Sequence, residues 1–210
     1  MARAERIPPL HVVTDDSVVA RGDFVERAGE VLAAGGVDVA LHLRAPAASG
    51  RRMHALAVRL MEMARASGSL LVVNDRVDVA MAAGARAIQL GARSLAVADA
   101  RRIAGDAARI GASVHAMDEA RAAMDAGADW LVAGTIFASP SHPGRTGAGV
   151  GLIGEMAALG LPVIAIGGMT PERAAGVRRA GASGIAAIRG VWDDPAPDDA
   201  TRRYIEAWQR

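Results

Sequence analysis

One phrase recurs along the chain and limits what it can fold into. An alanine-rich run ends in glycine and is followed within two or three residues by a short apolar run. It appears as AAGGVDVALHL (33–43), AAGARAIQL (82–90), DAGADWLVAG (125–134) and RAGASGIAAI (179–188). The glycine suits the left-handed residue that ends a helix. The apolar run begins as soon as short helix-to-strand loops allow. Repetition of this unit marks a βα array. The composition agrees: 51% of residues are hydrophobic but only 3% aromatic. The core must therefore be built from small aliphatic side chains, as buried parallel strands and close helix–sheet packing require.

Read in order, strands are expected at 10–14, 37–43, 70–73, 87–90, 109–113, 130–133, 163–166 and 184–188. Helices are expected after Asp23 as N-cap, then at 51–66, 77–83, 95–104, 118–126, 152–159, after Pro171, and at 199–208. Eight βα units without a linker or a shift in composition match a single (β/α)8 TIM-barrel domain over residues 1–210. A doubly wound sheet ranks second. The segment 134–151, GTIFASPSHPGRTGAGVG, is long and rich in Gly, Pro and Ser. A loop of this kind inside a compact chain is usually functional, and the stretch 138–149 is expected to be mobile without ligand.

The clearest local signal is LPVIAIGGMTP (161–171). An apolar strand runs into Gly167 and Gly168, then Thr170 as N-cap and Pro171 as first helical residue. Backbone N–H groups and a helix start converge there, which suits a phosphate. A barrel places its site at the C-terminal strand ends. The polar residues expected there include Thr14, Asp15, His42, Arg44, Asn74, Asp75, Gln89, Ser113, His115, Thr135, His142, Arg145 and Arg189. Several also have plain structural roles open to them. Asp75 can be an N-cap, Thr14 and Asp15 turn residues, and His115 a packed strand-end histidine. The formal net charge is +1 and no basic run is interleaved with aromatics, so nucleic acid is not an expected partner. No cysteine is present, which removes disulfides and thiolate chemistry. No apolar run approaches the roughly 20 residues of a membrane helix, and no signal segment is evident. A cytoplasmic protein is expected, with assembly into a homo-oligomer left open.

The ordered set LHVVTDD (10–16), LHLRA (41–45), VVNDRVDVAMAAGA (72–85), SVHAMDEA (113–120), the 134–147 loop and PVIAIGGMTPE (162–172) resembles the thiamin phosphate synthase/TenI family. The resemblance implies a (β/α)8 barrel acting on a small phosphorylated thiazole. Two activities occur in that family. The synthase joins hydroxymethylpyrimidine diphosphate to thiazole phosphate with magnesium. A TenI-like tautomerase aromatises carboxythiazole phosphate without metal.

The chain departs from the synthase pattern. Arg44, Ala45 and Pro46 stand where the synthase has Arg-Glu-Lys. Residues 89–94 read Gln89, Leu90, Gly91, Ala92, Arg93, Ser94 where it has His-x-Gly-Gln-x-Asp. Asp75 keeps one implied magnesium ligand without its partner. On these grounds the expectation is the tautomerase, an isomerase with no metal at Asp75 and negligible condensation activity. His142 would move the proton, with His115 as alternative and Gln89 beside them. Arg44, Asn74, Ser113 and Thr135 would hold substrate, and Gly167, Gly168, Ile188 and Arg189 its phosphate. Thr135 stands where the TenI-type enzyme has a loop histidine. The alternatives are the synthase, with Mg2+ at Asp75, and a non-catalytic thiazole or thiamin phosphate-binding regulator.

Overall fold

The structure, a computed structural model, describes residues 7–138 and 146–210. The strands are β1 (Leu10–Val13), β2 (Val39–Leu43), β3 (Leu70–Asn74), β4 (Ala87–Leu90), β5 (Arg109–Val114), β6 (Trp130–Ala133), β7 (Val163–Ile166) and β8 (Gly184–Ala187). All eight are parallel and close into a barrel in sequence order. The last pairs with the first through Leu10 and Ile185. Closure settles the fold as the (β/α)8 barrel and removes the doubly wound sheet. The helices are α1 (Asp16–Val19), α2 (Phe24–Gly35), α3 (Gly50–Ser67), α4 (Val77–Ala83), α5 (Val97–Ala104), α6 (Met117–Asp125), α7 (Gly151–Ala157), α8 (Pro171–Arg179), α9 (Arg189–Trp192) and α10 (Pro197–Gln209).

The strands have two buried faces, which is why they read as unbroken apolar runs. Outward residues such as Leu10, Val12, Leu41, Leu43, Val73 and Ile88 pack against the helices. Inward residues form a second, smaller core in the lumen: Val13, Ala40, Val72, Ala87, Trp130, Val132, Ile164 and Ala186. The recurring glycines behave as the pattern predicts. Gly84 (φ 72°) and Gly181 (φ 102°) turn left-handed after α4 and α8.

Some local expectations are corrected. Asp23 precedes α2 but its side chain makes no capping hydrogen bond, and neither does that of Thr170 before α8. Capping falls instead to Asp15, which accepts from Val18 N at 2.9 Å, and to Ser49, which accepts from Arg52 N at 3.3 Å. Asp75 does not cap α4, which follows Arg76. The short helices α1 and α9 have no counterpart in the sequence reading. They meet where the barrel closes: Trp192 Nε1 donates to the Val13 carbonyl at 2.8 Å, and its ring lies 5.7 Å from that of Phe24. The expectation of a mobile 138–149 loop falls mostly on residues 139–145, outside the described residues.

Candidate active site

A cavity of about 1080 Å³ opens over the C-terminal strand ends. Its lining changes around the rim. From β1 to β5 the inward side chains are His11, Val13, His42, Asn74, Gln89 and Ser113, all polar but Val13. From β6 to β8 they are Val132, Ile166, Ala186 and Ile188. One side of the cavity is thus polar and the other apolar, the usual make-up of a site that binds an organic ring and fixes its orientation.

The polar side begins with a buried chain. His11 Nδ1 and His42 Nε2 lie 2.7 Å apart, and His42 Nδ1 lies 3.0 Å from Asn74 Oδ1. An amide oxygen only accepts, so His42 carries its proton on Nδ1 and presents Nε2 as acceptor to His11 Nδ1–H. Burial pushes His42 down to about 4, with the Asn74 bond opposing only in part. His11 is also lowered well below its ordinary value, by burial first and by His42 next. Both rings are therefore neutral near physiological pH, and they act as oriented hydrogen-bonding groups.

Gln89 is held from two sides. Its Oε1 accepts from Trp130 Nε1 at 2.8 Å, and its Nε2 donates to Ser113 Oγ at 3.0 Å. The indole on β6 reaches Gln89 on β4 across the intervening β5 because residue 111 is glycine. A Cβ there would sit 2.2 Å from the indole and 2.3 Å from Gln89 Oε1. Gln89 and Ser113 thus stay in the lining, with Gln89 set on the barrel floor.

Above them lie the loops after β2, β3 and β4. Thr14 accepts from Arg44 N at 2.8 Å and donates to the Arg44 carbonyl at 2.9 Å, which fixes the start of the β2 loop. Asp75 adopts φ 65°, a left-handed conformation that Asp tolerates. Its Oδ1 accepts from Gly91 N at 3.1 Å and from the Ser94 hydroxyl. Arg76 is spent on Asp78, with contacts of 2.8 and 2.6 Å. The Arg44 and Arg93 guanidiniums line the cavity without a side-chain partner among the described residues. His115 lines the cavity half-exposed, its Nδ1 3.6 Å from Glu119.

On the opposite side, Gly167 (φ 102°) and Gly168 (φ 60°) take the conformations that favour glycine. The chain after β6 packs directly on them. A Cβ at Gly167 would meet Thr135 at 2.8 Å, and one at Gly168 would meet the Ala138 carbonyl at 2.7 Å. Tyr204 of α10 ties this region down by donating to the Met169 carbonyl at 2.9 Å. Ile188 lines the cavity. The Arg189 guanidinium turns to Asp15, 2.9 Å away, and Asp193, 3.6 Å away. For Asp15, burial works against ionisation, but Ser17, the Val18 N–H and Arg189 outweigh it and lower its pKa. His142 and Arg145 lie outside the described residues. Of the residues named from sequence, the structure brings Asp15, His42, Arg44, Asn74, Asp75, Gln89, Ser113, His115 and Ile188 to one cavity. Thr135, Gly167, Gly168 and Arg189 stand beside it. His11 was missed: it sits mid-strand, and only a lone polar residue in an apolar run marks it.

The fold and this rim define a (β/α)8-barrel protein with its site at the C-terminal strand ends. Residues 10–191 match the family described as thiamine monophosphate synthase (TMP-TENI), and the chain belongs to that family. It is 41% identical over 184 residues to a thiamine-phosphate synthase of Methanoculleus marisnigri, covering 87% of this chain and 86% of that protein. It is 46% identical over 156 residues to the thiamine biosynthesis bifunctional protein ThiM/ThiE of Symbiobacterium thermophilum. That match takes in 73% of this chain but 32% of the larger protein. A solved thiamine phosphate pyrophosphorylase from Pyrococcus furiosus superposes with a TM-score of 0.86 at 29% identity, covering 99% and 98% of the two chains.

These relatives overturn the expectation of a TenI-like tautomerase, and with it the isomerase and the negligible condensation activity. Synthases match the chain across most of its length, whereas the branch choice leaned on a few positions. One of those, Gln89, is occupied in the structure by Trp130 and Ser113.

The magnesium that the synthase resemblance implies is tested by the donors themselves. The cavity's carboxylates among the described residues are Asp15 and Asp75. Asp15 is paired with Arg189, and one oxygen of Asp75 is taken by Ser94 and Gly91. No group of three or more His, Asp or Glu that could hold a metal occurs among the described residues. Magnesium is usually held by one or two carboxylates together with substrate phosphate oxygens, and the second oxygen of Asp75 has no partner among the described residues. Asp75 could therefore be one ligand of a magnesium ion whose other ligands come from the substrate's phosphates and water.

Proposed function

We propose that the chain is a thiamin phosphate synthase, a transferase that joins hydroxymethylpyrimidine diphosphate to thiazole phosphate and releases diphosphate. The observation that carries this reading is the cavity, large enough at about 1080 Å³ for two ring-bearing substrates and divided into a polar and an apolar side. The relatives' shared name supports it.

In the reaction the bond from the pyrimidine methylene to the diphosphate oxygen breaks, and the electron pair leaves with diphosphate. The thiazole nitrogen supplies its lone pair to the same carbon and becomes a cationic ring nitrogen. No proton has to move for that bond to form. The neutral His42 and the groups beside it therefore orient a heteroaromatic ring through hydrogen bonds; they need not act as bases. Asn74, Ser113, Gln89 and His115 would face the rings. Gly167, Gly168 and the backbone at Ile188–Arg189 would hold the thiazole phosphate, a handle that stays attached. Arg44 would hold the departing anion, and Thr135 would support the glycine pair.

The test is a direct assay of the purified full chain with both substrates. Thiamin phosphate and diphosphate should appear in equal amounts. Their absence, with or without magnesium, overturns the proposal.

A further inference from the structure

Trp130, Gln89 and Ser113 form a line of hydrogen bonds across β6, β4 and β5, and the group at its start can only donate. We infer that Trp130 sets the direction of this line, so that Ser113 presents its hydroxyl hydrogen to substrate. Trp130 and Gln89 are then positioning residues, and Ser113 makes the contact. This deepens the synthase reading and rests on it for the identity of the substrates.

The row is built by the sheet. Gln89 on β4 pairs with Gly111 on β5, and Gly111 pairs with Trp130 on β6. Side chains alternate along a strand, so Ser113, two residues past Gly111, faces the same side. The indole can cross to Gln89 because Gly111 lacks a Cβ, which would sit 2.2 Å from the indole nitrogen. The indole then allows one arrangement. Its N–H only donates, so the Gln89 atom 2.8 Å away is the amide oxygen, and the other end of that amide is the NH2 group. That NH2 donates to Ser113 Oγ at 3.0 Å. The hydroxyl is thus an acceptor on its protein side, and no protein group among the described residues takes its hydrogen. Ser113 lines the cavity, so the hydrogen is left for an acceptor atom on a bound molecule. Turning the Gln89 amide over would set its NH2 against the indole N–H and let its oxygen take the Ser113 hydrogen instead. Gln89 and Trp130 are both buried, and a buried donor left unpaired is destabilising. A hydroxyl that can either give or take a hydrogen bond therefore becomes a fixed donor.

The experiment is a double-mutant cycle on the full chain. Wild type, Trp130→Phe, Ser113→Ala and the double variant are titrated by calorimetry with thiazole phosphate and, separately, with hydroxymethylpyrimidine diphosphate in magnesium. Trp130→Phe removes the N–H and keeps most of the bulk. Each single change should weaken one of the two substrates by about tenfold, the size of one hydrogen bond, and the substrate that responds is the one that accepts it. The double variant should bind that substrate no more weakly than Ser113→Ala alone, because the indole acts through the serine. Gln89→Met, which removes both ends of the amide, should behave like Trp130→Phe in the same cycle. It keeps the test open if the indole variant does not fold. Losses that multiply to about a hundredfold are what an indole that only packs would give, and they overturn the inference. So does a Trp130→Phe or Ser113→Ala protein that binds both substrates as wild type does. The synthase reading is judged separately by thiamin phosphate formation. A non-additive cycle without product supports the line and overturns only that reading.

Discussion

The two halves of the rim solve the same problem with different means. On the β2–β4 half, side chains face the cavity: Arg44, Asn74, Gln89 and Arg93, braced by Thr14, Ser94 and Trp130. The β7–β8 half offers glycine backbone instead. Gly167 and Gly168 carry no side chain, Ile188 is apolar, Arg189 is bonded to Asp15 and Asp193, and Arg173 donates to the Gly168 carbonyl. Side-chain cations suit a group that must be bound and then released, because they can follow it. Fixed backbone N–H groups suit a phosphate that remains attached throughout. Under the proposed function, the same barrel would hold one anion with adaptable side chains and the other with rigid backbone.

The largest effect should come from removing what both halves stand on. Trp130 is fully buried and its indole holds Gln89. Trp130→Ala should cost about 3–5 kcal/mol of stability, read by denaturant unfolding, and weaken both halves together. A loss confined to one half would show that the floor is not shared. Next comes Gly168→Asp. It puts a carboxylate where an anion belongs, at a backbone φ of 60° and against the Ala138 carbonyl. Thiazole phosphate binding should fall by about a hundredfold or more while diphosphate binding survives. Equal loss of both ligands would erase the division.

The smallest effect is a pH slope on the β1–β3 side. His42 titrates at about 4 in the folded chain against 6.5 ordinarily. The unfolded chain therefore binds the extra proton first. Stability from this group is complete above about 6.5 and is lost as pH falls toward 4, by on the order of 2 kcal/mol at pH 4.5. His11, lowered for the same reason, adds to the slope. In His42→Gln, unfolding measured at pH 7 and pH 4.5 should differ less than in wild type. An unchanged slope would mean that His42 is not buried neutral.

Much of the barrel can be read from the chain because each βα unit is specified locally. A glycine ends the helix and an apolar run starts the strand, so β4, β6 and β7 fall on the expected residues. The rim is less legible. Side-chain direction in a barrel depends on which strand residues turn inward, and runs buried on both faces hide that alternation. His11 was missed for this reason. Other features depend on residues far apart in sequence. Arg189 meets Asp15 only because β8 closes on β1, and Trp130 reaches Gln89 only because residue 111 lacks a side chain. The replacement at Ser94 was visible as a departure, but its bond to Asp75 was not. Reading that departure as loss of function leads to the wrong branch.

The most direct measurement of the central claim is product formation by the full chain. Hydroxymethylpyrimidine diphosphate and thiazole phosphate are mixed with the protein in EDTA and, separately, in magnesium, and thiamin phosphate and diphosphate are quantified by ion-exchange chromatography. The synthase reading predicts the two products in equal amounts in at least one of the two conditions. No thiamin phosphate under either condition would contradict it.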